Sequence, residues 1–264
     1  MLISRSAVLR AMLWLGLLVS LSTGSTIALS NPPAYLAIII DDLGHNLSNG
    51  QRAVSLSSPI TYAVLPDSIH AETISHLAHA SNKEVMVHLP MTNHSNFPDS
   101  PNTLNEQQAE HEFLDTVARA IQQVPYAIGI NNHMGSRLTE QRTQMTWLMQ
   151  DLKKRDMFFI DSRTTPATVA EQIAIETNLK AAHRDVFLDN TRSYEAISAA
   201  FAAAVHIAKT QGSALVIAHP YPITLQFLEE TLPLMKDMGI EIIRTSELVS
   251  FQLSQPTSTQ TVAE

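Results

Sequence analysis

Short apolar runs and longer amphipathic segments alternate along most of this chain. Most of the apolar runs are rich in β-branched residues and continuous rather than alternating, which is typical of parallel strands covered on both faces. The predicted strands are Leu36–Ile40, Thr61–Leu65, Glu84–Val87, Ala127–Ile130, Met157–Ile160, Val186–Leu188, Ala214–Ala218 and Ile240–Ile243. The predicted helices are Ile69–Ser81, Glu106–Val124, Glu140–Arg155, Pro166–Asn178, Tyr194–Gln211 and Leu225–Met238.

Seven or eight βα units in series predict one α/β domain over residues 31–251, folded as a (β/α) barrel. A doubly wound open sheet is the alternative architecture for the same pattern. Residues 252–264 are polar and lack periodicity, so we expect a disordered tail there.

The first thirty residues have the pattern of a secretory signal peptide. Arg5 and Arg10 precede the apolar run Ala11–Leu21, and Ala28-Leu29-Ser30 is suited to cleavage. The run is short for a transmembrane helix, although an uncleaved anchor is the alternative. We therefore expect a periplasmic or otherwise exported protein without stable membrane insertion after cleavage.

Composition narrows the possible chemistry. The chain has no cysteine, which excludes disulfides and thiolate metal ligands. Its formal net charge is −8, and the only charged residues before position 31 are two arginines, so the rest is more acidic still. This balance opposes binding to nucleic acid.

Polar residues follow six of the predicted strands. These are Asp41-Asp42, His88, Asn131-Asn132-His133, Asp161-Ser162-Arg163, Asp189-Asn190 and His219. In a parallel barrel the carboxyl ends of the strands share one face, where catalytic residues gather. Histidines with a carboxylate and an open position are typical of hydrolytic sites for zinc or a similar divalent metal. A metal-bound water is then the nucleophile, and further acidic and histidine side chains transfer protons.

The adjacency of Asp41 and Asp42 restricts how they can act together. Consecutive residues of a strand point to opposite faces, so the two can share a site only at a frayed strand end. Two carboxylates so close also resist joint ionisation unless a cation lies between them.

Six ordered motifs resemble those of the divergent polysaccharide deacetylases, an envelope-associated bacterial branch of the NodB-homology carbohydrate esterases. They are IIIDDLG, EVMVHLPM, GINNHMGSRLT, FFIDSRTT, VFLDN and VIAHPYP, and they span nearly all of residues 36–250. The resemblance implies a distorted (β/α) barrel with seven or eight units. It also implies metal-dependent removal of acetyl groups from N-acetylated sugars, with a cell-envelope glycan as the substrate.

The resemblance further implies a metal site, with zinc as the expected ion. Asp42 matches the metal-binding aspartate, and His88 matches the first histidine of the superfamily's H-x-x-x-H motif. Thr92 stands where the second histidine would be. His133 is the expected replacement, and His94 is its competitor.

By the same resemblance, Asp41 would be the general base and His219 the general acid. Asp161 falls where an acidic motif orients that histidine or the base. Arg137 would stand in for the superfamily's arginine-x-proline-x-glycine motif, which is absent here. The expected substrate-binding residues are Arg137, Asn132 and Arg163.

Two other functions are compatible with these residues. A catalytically weak or inactive barrel would bind envelope glycan or a partner protein. A metal-free glycosidase would use two of the carboxylates as acid and as nucleophile or base. Serine-hydrolase and nucleotide-binding motifs are absent from the sequence.

Overall fold

The computed structural model describes residues 34–95 and 100–255. The predicted signal peptide lies outside these residues, as does the predicted tail beyond residue 255. Within the described ranges, no helix has the length and apolar character needed to cross a membrane.

Nine strands, all paired in parallel, form the sheet of the described residues. They are β1 (Ala34–Leu43), β2 (Thr61–Val64), β3 (Glu84–Met91), β4 (Ala127–Met134), β5 (Phe158–Asp161), β6 (Ala181–His183), β7 (Val186–Phe187), β8 (Ser213–Ala218) and β9 (Ile240–Ile242). Every predicted strand is present, and the curled parallel sheet with alternating helices confirms a distorted (β/α) barrel.

Eight α-helices accompany these strands in the described part of the chain. They are α1 (Leu47–Val54), α2 (Ala71–Ala80), α3 (Glu110–Gln123), α4 (Arg142–Lys154), α5 (Ala170–Glu176), α6 (Tyr194–Gln211), α7 (Pro222–Thr231) and α8 (Thr245–Ser254). The sequence pattern did not predict α1 or α8. Helix α8 continues three residues into the segment 252–264, for which the sequence predicts a disordered tail.

The sheet curls, and the short segment between β6 and β7 connects its two edge strands. The strand order is β6-β5-β4-β3-β2-β1-β8-β7, while β9 pairs with the first residues of β1. Between β6 and β7 the backbone changes partner: Arg184 N donates to Asp161 O (3.0 Å), and Asp185 N donates to Leu215 O (2.9 Å). The predicted strand at Val186–Leu188 is therefore only the second half of a segment that bridges β5 and β8.

Alternation along the strands separates an inner core from an outer one. The inner cluster includes Ala37 and Ile39 of β1, Met86 of β3 and Ile217 of β8. The outer face packs against the helices. Since side chains two residues apart share a face, Asp41, His88 and His219 continue the inner rows to the carboxyl ends of their strands.

Gly129 lies on the inner row of β4 and allows the neighbouring strand to pack closely. A Cβ atom at this position would lie 2.7 Å from the ring of Phe158 on β5. The same row continues through Asn131 to His133. The inner rows of β1, β3, β4 and β8 therefore end at the same opening, the mouth of the barrel.

Candidate metal centre

The two aspartates at the end of β1 face one site because the strand is distorted there. Asp42 has φ 57°, in the left-handed region. The pairing of β1 with β2 also shifts register between Ile40 and Leu43. These two features turn the Asp42 carboxylate toward the side on which Asp41 already lies. This is the strand-end distortion that we expected if two consecutive aspartates share a site.

Three potential ligand atoms converge at this mouth. Asp42 Oδ1 lies 3.0 Å from His133 Nδ1 and 3.2 Å from His88 Nε2. The two ring nitrogens are 3.0 Å apart. Among the described residues, Asp42, His88 and His133 are the group of at least three potential ligands close enough to hold a metal ion.

The donor set fits a divalent metal such as zinc. Asp42 Oδ1 is buried, and neither nearby nitrogen gives it a well-directed hydrogen bond. A tetrahedral zinc site with bonds of about 2.0–2.2 Å separates its ligand atoms by about 3.3 Å, close to the observed spacing. Two imidazoles and one carboxylate also leave a position open for a water or substrate.

Asn131 fixes the orientation of two members of the site. Its Oδ1 lies 2.8 Å from His88 Nδ1, and its Nδ2 donates to Asp41 Oδ1 at 2.7 Å. Because the amide oxygen can only accept, His88 Nδ1 carries a hydrogen, and in the neutral ring the Nε2 lone pair points into the cluster.

The cluster favours the ionised forms of both Asp42 and His88. Burial acts to raise the pKa of Asp42, but the approach of His133 and His88 outweighs it and holds that pKa far below its usual range. Burial acts to lower the pKa of His88, but the carboxylates of Asp41 and Asp42 outweigh it and raise the value to about 9. A metal ion at this position therefore competes with a proton.

Asp41 has the environment expected of a proton acceptor. It is buried, and its Oδ2 lies 3.6 Å from His88 Nε2. Burial raises the pKa of Asp41, although the charges of His88 and His219 oppose that rise. A carboxylate with a raised pKa is a stronger base than an exposed aspartate.

His219 is held by Asp189. Asp189 Oδ1 lies 2.8 Å from His219 Nδ1, and Asp189 Oδ2 accepts from His219 N (2.8 Å) and from Thr224 Oγ1 (2.9 Å). The opposite nitrogen, His219 Nε2, lies 3.8 Å from Asp42 Oδ2. Burial acts to lower the pKa of His219, but the hydrogen bond and charge of Asp189 outweigh it, so the pKa is raised.

Asp161 has different contacts from those its predicted role requires. It is buried, and its carboxylate accepts from Arg163 N (2.8 Å) and Thr168 Oγ1 (2.9 Å). It follows Ile160, which belongs to the inner cluster, so alternation directs Asp161 outward. The residue that orients His219 is Asp189, on the loop after β7.

The predicted substrate-binding residues are dispersed. Asn132 is buried and joins two strand ends: its Oδ1 accepts from Ser162 N (2.9 Å) and its Nδ2 donates to Met134 O (2.7 Å). Arg137 Nη1 lies 3.6 Å from Glu106 Oε1. Arg163 Nη2 lies 2.8 Å from Glu171 Oε2, beside a separate cavity.

His94 lies apart from the metal cluster. Its Nε2 is 3.2 Å from Glu140 Oε1, and its side chain is 55% exposed. His133, and not His94, lies against both Asp42 and His88 and completes the group that could hold a metal ion.

Two positioning residues were not assigned by sequence. Asn131 and Asp189 both follow predicted strands, but neither has a role among those that the family resemblance implies. Asn131 lies two residues before His133 in the same strand, so both side chains point to the inner face. This alternation is the sequence signal that could have identified Asn131. No local pattern distinguishes Asp189 from Asp161, since both are aspartates at strand ends.

Comparisons with known proteins agree with this fold. The model of the family described as divergent polysaccharide deacetylase matches residues 38–249. The uncharacterized protein YibQ of Escherichia coli K12 is 37% identical over 232 residues, covering 87% of this chain and 72% of YibQ.

Two solved structures share the architecture at low identity. Uncharacterized protein ATU2773 of Agrobacterium tumefaciens C58 superposes with a TM-score of 0.79 at 20% identity, over 82% of this chain and 89% of that one. The catalytic domain of a peptidoglycan N-acetylglucosamine deacetylase from Eubacterium rectale gives a TM-score of 0.53 at 13% identity, over 81% and 89%. These likenesses concern the fold alone.

Proposed function

Because the chain belongs to the divergent polysaccharide deacetylase family, we propose that it is a periplasmic, zinc-dependent deacetylase of N-acetylated envelope glycans. The observation that carries the proposal is the convergence of Asp42 Oδ1, His88 Nε2 and His133 Nδ1 in front of Asp41 and His219. The signal-peptide pattern of residues 1–30 supports export.

Asp42, His88 and His133 would hold the ion. When bound, it supplies a Lewis acid that polarises the acetyl carbonyl and lowers the pKa of a water molecule. Asn131 keeps the His88 ring in the ligating tautomer through its contact with Nδ1. His133 takes the place of the missing second histidine at Thr92.

Asp41 and His219 divide the proton transfers. Asp41 accepts a proton from the attacking water, whose oxygen forms a bond to the acetyl carbon. His219 Nε2 donates a proton to the sugar nitrogen as the carbon–nitrogen bond breaks, releasing acetate and the amine. Asp189 holds His219 with this nitrogen toward the site, and its charge raises the pKa of the ring, which favours the protonated form.

Metal content and acetate release test the proposal on the purified protein. We expect about one zinc per chain by mass spectrometry. Chelation should abolish acetate release from an N-acetylglucosamine pentasaccharide, and added zinc should restore it. Asp42→Ala should lose the metal, whereas Asp41→Asn should keep it but lower kcat on the order of 10²–10⁴-fold. Asp237→Ala, an exposed charge change, is the matched control.

Each result has a defined meaning. Absence of stoichiometric metal in both the wild type and Asp42→Ala would contradict the metal site. Bound metal without acetate release from N-acetylated glycans would contradict the deacetylase and favour a binding barrel. Export is tested separately: osmotic shock should release a chain that lacks residues 1–30, as determined by intact mass.

A further inference from the structure

His219 lies between two aromatic rings. Its ring centroid is 6.3 Å from that of Phe187 and 5.5 Å from that of Tyr221, with interplanar angles of 22° and 29°. Each ring in turn packs against an arginine. The guanidinium carbon of Arg184 is 3.8 Å from the Phe187 centroid, and that of Arg192 is 3.8 Å from the Tyr221 centroid.

These two arginines differ from most others in how they are paired. Arginines bound to a carboxylate are Arg52, Arg137, Arg142, Arg155 and Arg163. Within the described ranges, Arg184 and Arg192 form no ion pair with a carboxylate; their hydrogen-bond acceptors are neutral. Both arginines thus bring a positive charge to the mouth of an acidic protein.

The remaining donors of Arg184 and Arg192 are free to bind a ligand. Arg184 Nε and Nη2 donate to the carbonyl oxygens of Ser162 (2.7 Å) and Arg163 (2.8 Å). Arg192 Nη2 donates to the Tyr221 hydroxyl at 2.7 Å. These contacts fix each guanidinium in place and leave its other N–H groups for a planar anion such as a carboxylate.

Arg184 also forms part of the wall of a cavity of about 650 Å³. Ligand-binding pockets commonly measure about 300–1,000 Å³. Its lining also holds Arg163, one of the predicted substrate-binding residues, and the carboxylates of Asp161 and Glu171. Glu171 is paired with Arg163, and Asp161 accepts from Arg163 N and Thr168 Oγ1. Phe187, which packs against Arg184 of this cavity, is also the neighbour of the His219 ring.

We propose that the substrate is an acidic glycan and that Arg184 and Arg192 bind carboxylates on the sugars flanking the N-acetylated unit. This inference rests on the proposed deacetylase function and specifies its substrate class. Guanidinium forks bind carboxylates in two parallel hydrogen bonds. A neutral glycan would leave Arg192 without a carboxylate partner and Arg184 with only the longer-range charges of Asp161 and Asp185, so the site discriminates between the two substrates.

A matched pair of substrates tests this proposal. The acidic probe is an oligosaccharide of alternating N-acetylglucosamine and glucuronic acid; the neutral probe is the same oligosaccharide with its carboxyl groups reduced to alcohols. We expect kcat/KM for acetate release, and affinity by calorimetry, to favour the acidic probe by about a hundredfold, with about tenfold from each arginine. Arg192→Gln and Arg184→Gln should each reduce this preference by about tenfold.

Arg244→Gln is the matched control, because it removes the same charge near the opposite end of the barrel, where Arg244 Nη2 contacts Asn82. It should retain the preference of the wild type. Thermal unfolding checks that each variant is folded. If Arg184→Gln does not fold, Arg192→Gln decides the result.

The outcomes separate the two proposals. Equal acetate release and equal affinity for both probes would overturn the acidic-substrate inference and leave the deacetylase function standing. Preferential binding of the acidic probe without acetate release from either would overturn the deacetylase function while supporting the arginine site. A preference that both arginine variants retain would overturn the assignment of these residues.

Discussion

At the scale of single residues, left-handed backbone conformations mark the mouth of the barrel. Asp42 has φ 57°, Met134 at the end of β4 has φ 55°, and Arg163 after β5 has φ 48°. This conformation costs a non-glycine residue about 1–2 kcal/mol. Such strain is often found at functional sites. At Asp42 its effect is direct, since it turns the second carboxylate of the pair toward His88 and His133.

Asp189 and Asp161 provide a comparison between two buried aspartates. In Asp189→Asn, one of the two carboxylate oxygens becomes an amide nitrogen, so the side chain can accept from His219 N or from His219 Nδ1 but not from both. The substitution also removes the negative charge beside the ring. We expect kcat to fall on the order of 10²–10⁴-fold, the usual contribution of a positioned general acid. Asp161→Asn should keep most activity, because its partners Arg163 N and Thr168 Oγ1 can also bind an amide.

Acetate release measured across pH distinguishes loss of positioning from loss of structure. For Asp189→Asn, the basic limb of the kcat profile should move to lower pH, because Asp189 raises the pKa of His219. Metal content should stay unchanged in both variants. A loss of activity in Asp161→Asn equal to that in Asp189→Asn would restore the catalytic role that the family resemblance implied for Asp161.

At the scale of elements, a buried acid at the start of β3 holds helix α8. Glu84 accepts from Thr61 Oγ1 (2.9 Å), from Ser246 N (3.3 Å) and from Ser246 Oγ. Leu248 and Val249 of the same helix join the inner cluster. The negative charge lies at the amino-terminal end of α8, where the helix dipole favours it. This contact fixes the helix against the amino-terminal end of the barrel.

Glu84→Gln should lower the free energy of unfolding by about 1–3 kcal/mol, since the amide can accept fewer of these hydrogen bonds. Urea unfolding measures the change, and Glu241→Gln, an exposed neutralisation on β9, is the control. Metal binding at the Asp42–His88–His133 cluster should be unaffected, because Glu84 begins the strand whose other end carries His88. Equal stability of the two variants would show that α8 is held by apolar packing alone.

At the scale of the whole molecule, stability depends on the ionisation of acids that the barrel buries. Burial raises the pKa of Asp161, although hydrogen bonds from Arg163 N and Thr168 Oγ1 oppose that rise. The folded protein therefore holds this proton more tightly than the unfolded chain does. Ionisation of Asp161 thus opposes folding as pH rises above the ordinary carboxyl pKa of 3.8.

The free energy of unfolding of Asp161→Asn, relative to that of the wild type, should therefore be higher at pH 7 than at pH 4. Wild-type stability carries the cost of ionising Asp161 above its raised pKa, and this cost disappears as pH falls toward 3.8. Urea unfolding of both proteins between pH 4 and pH 8 measures the difference. A difference that stays constant or decreases as pH rises would contradict the raised pKa.

The sequence predicted most of the strands and helices but missed β6, α1 and α8. Continuous β-branched runs such as Leu36–Ile40 indicate buried parallel strands by composition alone. Strand β6, Ala181–His183, has no β-branched residue, and α1 carries Gly50 and several polar residues. Both form because neighbouring elements bury or hydrogen-bond them, which a local pattern does not encode.

By itself, the sequence determined the alternation of strands and helices and the strand ends that carry polar residues, among them Asp42, His88 and His133. Those features depend on composition and alternation, which are local. Only the tertiary structure decided that His133 rather than His94 completes the cluster, that Asp189 rather than Asp161 holds His219, and that Asn131 orients His88. These choices depend on distances between separate strands, which the barrel's curvature and the distortion at Asp42 set.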